Sequence, residues 1–87
     1  MTDDSAVDIM DEQESWLLVA AGGCFAVVER RAGRIYALRS AHRTGQPDTP
    51  AGIRAAAETD GWRSEAEARA DFTAVVTRGR DLARRML

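Results

Sequence analysis

The chain has 87 residues, 45% hydrophobic and 30% charged, the composition of an ordinary globular protein with room for one domain and not two. No apolar run approaches the roughly 20 residues of a spanning helix. The acidic start Met-Thr-Asp-Asp-Ser lacks the basic and apolar parts of a secretory signal, so a soluble cytoplasmic protein without membrane contact is expected. The net charge of −2 hides an asymmetry, because residues 1–14 carry six acids and no base, while all 12 arginines lie in the remainder.

In chain order, residues 1–14 form an acidic segment, read as a mobile tail or a short helix capped by Ser5, and residues 15–87 form a single α+β domain. The apolar run Trp16–Ala21, closed by Gly22-Gly23, reads as a short buried strand. Residues 24–29 and 34–39 follow as a hairpin, with Arg30-Arg31-Ala32-Gly33 as a four-residue connection built on a type I turn. That register sets Glu29 opposite Arg34 and Val28 opposite Ile35. It places Phe25, Val27, Tyr36 and Leu38 on one bulky face, assigned to the core. Ala26, Val28, Ile35 and Ala37 form a smaller apolar face that invites a homodimer by sheet stacking.

Residues 40–49 read as a loop. Thr49-Pro50 then reads as a helix cap and a first-position proline, opening a short helix to about residue 58 that Asp60-Gly61 breaks. Ser64-Glu65-Ala66-Glu67 has capping-box spacing and opens a helix to about residue 86. Ala68, Phe72, Val75, Val76, Gly79, Leu82, Ala83 and Met86 share one stripe of it, with Gly79 read as the point where the helix approaches the sheet closely. The expected architecture is therefore α+β, a two- or three-stranded antiparallel sheet on a C-terminal amphipathic helix, with a short bridging helix.

Catalytic and metal-binding constellations are not evident in the sequence. Cys24 reads as a small buried hydrophobe, and the single histidine, His42, lies far along the chain with no third group to orient a nucleophile–base pair. Cys24 and His42 together fall short of the three protein ligands of a zinc site. Gly22-Gly23 lacks the Lys-Ser/Thr that completes a phosphate loop, and the chain has no lysine. Glu65 and Glu67 resemble a catalytic carboxylate pair only until helix capping accounts for Glu67. No enzyme activity, cofactor or metal is expected.

Recognition is the remaining class. Packing is the simpler account of Trp16 and Trp62, but either one, if exposed, is the strongest interface candidate, since Trp and Arg dominate binding energetics. Arg30, Arg31 and Arg34 surround the hairpin turn. Asp8, Asp11 and Glu12 offer a charge complement to a basic partner surface, or to the domain's own arginines. These residues suggest a small non-enzymatic module that binds a protein stoichiometrically, as adaptor, regulator or inhibitor. Inhibitors encoded by phages and other mobile elements, anti-CRISPR proteins among them, have this size and composition, but no motif supports the comparison. The alternative is a nucleic-acid accessory protein. It would use Arg30, Arg31, Arg34, Arg39 and Arg43 on phosphates, with Tyr36 to stack. Arg78, Arg80, Arg84 and Arg85 are explained by the helix dipole, which favours cations near a helix C-terminus.

Overall fold

The computed structural model describes residues 7–39 and 44–85. Five strands precede two helices: β1 (Asp8–Gln13), β2 (Trp16–Ala21), β3 (Cys24–Arg31), β4 (Arg34–Ala37), β5 (Gln46–Pro47), α1 (Pro50–Asp60) and α2 (Glu65–Arg85). The strands form one antiparallel meander in the order β1-β2-β3-β4-β5. The α+β class stands, but the sheet of two or three strands does not. The sheet extends beyond the expected strands at both ends.

At one end, the acidic segment is neither tail nor helix over residues 8–13 but the edge strand β1. Its pairing shifts between Ile9 and Asp11, so Met10 is bulged. A bulge adds one residue to a strand and destroys the alternation by which strands are read. Ile9 and Met10 are also adjacent and exposed, as an uncovered edge permits. The proposed Ser5 cap lies outside the described residues. At the other end, Gln46 and Pro47 of the expected loop pair with Ile35 and Arg34. Two residues with a proline make a blunt edge.

The hairpin register is also corrected. Arg31 stands opposite Arg34 and Glu29 opposite Tyr36, leaving only Ala32-Gly33 as the turn. Both turn residues have positive φ, 51° and 76°. That is the backbone of a tight primed turn, whose twist matches the flanking strands and removes the need for a four-residue loop. The error is two residues, so each side chain keeps its face.

Each face of the sheet carries one helix. α1 brings Ile53, Ala56 and Ala57 onto Leu17, Val19, Ala26, Val28 and Ile35. α2 brings Ala68, Phe72 and Val76 onto Leu18 and Val27, with Trp16, Phe25, Leu38 and Val75 at the margin. The small face proposed for sheet stacking between copies is thus covered by α1. It is also the better buried face, with Ala26, Val28 and Ile35 wholly inaccessible. Burial on both sides explains why Leu17, Leu18, Val19 and Ala20 form an unbroken apolar run.

Local chemistry sets the helix starts as read. Thr49 Oγ1 accepts the Gly52 N–H at 3.1 Å ahead of Pro50. Ser64 Oγ accepts the Glu67 N–H at 3.2 Å and donates its own hydroxyl to Glu67 Oε1 at 2.8 Å. On α2, Ala68, Phe72 and Val76 are buried, whereas Leu82 is 53% exposed. A Cβ on Gly79 would meet nothing within 4 Å, so this glycine makes no close approach to the sheet. The Ala83 side chain and Met86 fall outside the described residues.

Ala32 is a residue with a Cβ held in a left-handed conformation, which costs roughly 1 kcal/mol. Replacing it with Asn, which tolerates that conformation and forms the favoured Asn-Gly turn, is expected to stabilise the domain by about 0.5–1 kcal/mol. Urea denaturation of Ala32→Asn beside the parent checks this, and an unchanged midpoint would refute the turn assignment.

Candidate functional site

Two polar clusters stand out, and their chemistry differs. The first is buried and lies at the point where β4 ends. Leu38 still donates its N–H to the Val27 carbonyl at 3.3 Å. The Val27 N–H, which points the same way, finds no further strand carbonyl and instead donates to Asp60 Oδ2 at 3.1 Å. Arg39 N–H donates to Asp60 Oδ1 at 2.8 Å. Arg63 Nη1 donates to Asp60 Oδ2 and to the Gly61 carbonyl, and its Nε donates to Asp71 Oδ2 at 2.8 Å. The Arg63 backbone meanwhile bridges to Phe25 in both directions, at 2.8 and 2.9 Å. Asp60 is fully buried and Arg63 only 6% exposed at the side chain. The fold consumes both carboxylate oxygens, so the cluster is structural.

The second cluster is open. Beyond Val76, α2 continues past the sheet, and a groove of about 790 Å³ lies between this extension, the β1–β2 turn and β3. Trp16, Leu38, Val75, Val76 and Leu82 supply its apolar surface. Arg31, Arg78, Arg80 and Arg84 stand around it with Glu14 and Glu29. Two ion pairs cross this region: Arg80 Nε to Glu14 Oε1 at 3.3 Å and Arg31 Nη2 to Glu29 Oε2 at 3.5 Å. Arg80 also donates to Gln13 Oε1 at 3.1 Å. Arg84 lies 3.9 Å from Asp81 and is 78% exposed. Arg78 forms no ion pair among the described residues.

The structure brings some of the sequence-predicted residues together and scatters others. Trp16 and Arg31 both line the groove. Trp62 is half-buried on the α1 side of the sheet, away from it. Strand alternation sends Arg30 to the face opposite Arg31. There its guanidinium joins Glu12 at 3.0 Å and Asp48 at 2.9 Å. Arg34 is exposed at the turn, Tyr36 is half-buried, and Arg39 is held at Asp60. Arg43 and His42 lie outside the described residues. The hairpin arginines therefore do not form one basic tip, and Glu29 pairs with Arg31 in place of Arg34.

The acidic segment folds back on the domain's own arginines at two points, through Glu12 to Arg30 and Glu14 to Arg80. Asp11 accepts from the Glu12 N–H and from Gln13 Nε2, and Asp8 is exposed on the edge strand. Cys24 is exposed in the β2–β3 turn region, contrary to its reading as a buried hydrophobe. No group of three His, Cys, Asp or Glu side chains suited to a metal ion occurs among the described residues. No helix among them is long and apolar enough to cross a membrane.

Sequence reasoning assigned Arg78, Arg80 and Arg84 to the helix dipole and Leu82 to the core, and so missed the groove. A usable signal was present in the lengths. A six-residue strand spans about 20 Å, while a 21-residue helix spans about 31 Å, so part of α2 outruns such a strand.

Neither a family model, nor a curated protein, nor a solved structure matches this chain. The geometry alone carries the functional argument.

Asp60→Ala would leave buried Arg63 with only the partly exposed Asp71 as counter-charge and would strip the Val27 and Arg39 amides of their acceptor, and is expected to destabilise the domain by about 3–5 kcal/mol. Arg54→Ala, which removes the solvent-facing pair with Glu58, is expected to cost under about 1 kcal/mol. Comparable shifts in the two urea midpoints would contradict the keystone role of Asp60.

Proposed function

We propose that this protein works by stoichiometric association with a protein partner, docking it in the groove beside the second half of α2. The observation that carries this reading is the groove itself, in which a tryptophan and aliphatic side chains are ringed by arginines. Trp and Arg are the residue types that most often anchor interfaces, and an apolar centre with a charged rim is the usual anatomy of one. The acidic segment is less available for a basic partner than its composition suggests, because Glu12 and Glu14 already face arginines of this chain.

The reading is tested by placing a photo-crosslinking benzoylphenylalanine at Arg84, on the groove rim, and separately at Glu58, exposed on α1. In extracts of the native host, the Arg84 position is expected to crosslink one dominant protein and the Glu58 position none. Introducing Arg78→Glu alongside the Arg84 probe is expected to abolish the product. Absence of a product from Arg84, or equal products from both positions, would sink the proposal.

A further inference from the structure

We infer that the groove's occupant is an acidic amphipathic segment of the partner, one that presents carboxylates beside apolar side chains and lies close against the α2 backbone at Gly79. This rests on the reading of the groove as a protein-docking site and specifies what fills it.

Charge gives the first argument. The acids at the groove are already engaged, Glu14 with Arg80 and Glu29 with Arg31. Arg78 has no ion-pair partner among the described residues, and Arg84 has only the long contact to Asp81. The rim therefore offers cationic capacity that the described residues do not satisfy, and a carboxylate complements it. A second copy of α2 would bring Arg78, Arg80 and Arg84 against the same three arginines, so self-docking through this helix is opposed. A phosphate backbone offers no apolar side chains for Trp16, Leu38, Val75 and Leu82, which favours a peptide over nucleic acid.

Gly79 gives the second argument. A glycine inside a helix weakens it relative to alanine, and such a position commonly serves close packing. Here a Cβ would meet nothing within 4 Å, so nothing among the described residues uses the space. The glycine lies on the groove wall, one turn before exposed Leu82 and one turn after Val75. The three form an apolar strip with a dip at its middle. A helix or extended segment seated in that dip approaches the α2 backbone more closely than a side chain would allow.

The test selects a phage-displayed library of random 12-residue peptides on the intact protein, with counter-selection on Leu82→Glu. Enriched peptides are expected to combine aliphatic or aromatic residues with Asp or Glu. Their affinity is expected to fall about tenfold or more in Arg78→Glu and in Gly79→Leu, and to weaken as salt rises. Thermal melts accompany each variant, and Gly79→Leu is expected to melt no lower than the parent, separating a blocked groove from a damaged fold. Enrichment of basic or uncharged peptides would overturn the acidic assignment while leaving protein docking in place. Acidic peptides indifferent to Arg78→Glu and Gly79→Leu would overturn the placement, and failure to enrich any peptide would overturn the inference. The Arg84 crosslink independently decides whether a protein docks at all.

Discussion

A single carboxylate holds the ends of three elements in register. Asp60 closes α1, accepts the Val27 N–H that β4 is too short to reach, takes the Arg39 N–H where the chain leaves the sheet, and faces Arg63 on the way to α2. Burying a carboxylate and a guanidinium costs several kcal/mol in lost hydration, which only good geometry and further hydrogen bonds offset. Most of those bonds are present, through two backbone amides on Asp60 and through the Gly61 carbonyl and Asp71 on Arg63, while Arg63 Nη2 is buried without a partner among the described residues. An apolar pair of similar volume would leave the Val27 amide buried without an acceptor. The charge is thus tied to how the sheet ends and to where the second helix begins.

From that junction the chain must put its two helices on opposite faces. α1 packs over β3, β4 and β5, and α2 over β2 and β3. The Phe25–Arg63 backbone bridge pins the short linker beside the sheet between them. One face is then closed by alanines and Ile53, the other by Phe72 and Val76. β1 is left as the uncovered edge, with a bulge and three acids that discourage further pairing. The opposite edge ends on Pro47, which has no N–H to offer. Both edges are blunted against further strand pairing.

How much of this the sequence exposed depended on distance along the chain. Thr49 with Pro50 and Ser64 with Glu67 each act within three residues, and both helix starts are legible from them. The hairpin's faces were legible because alternation survives a two-residue slip, but its register was not, since Ala32 does not advertise a positive φ as Asn would. β1 was hidden by its bulge and its charge. Asp60 was read only as a helix breaker because its partners Val27 and Arg39 lie 33 and 21 positions away. No local pattern encodes such a contact. The arginines of α2 were read through the helix dipole, which accounts for their sign but not for the groove they border.

Burial divides α2 into two parts. Its first half supplies Ala68, Phe72 and Val76 to the core, while Leu82, Arg78, Arg80 and Arg84 remain in solvent. Cations at a helix C-terminus gain a few tenths of a kcal/mol to about 1 kcal/mol from the dipole, an effect that needs no particular neighbour. Yet Arg80 reaches across to Gln13 and Glu14, fixing the β1–β2 turn as the far wall of the groove. Dipole stabilisation alone does not require that contact, an exposed leucine two positions on, or a glycine facing empty space between them and the core. Together these features make the extension a shaped surface whose side chains can vary without disturbing the packed half of the helix.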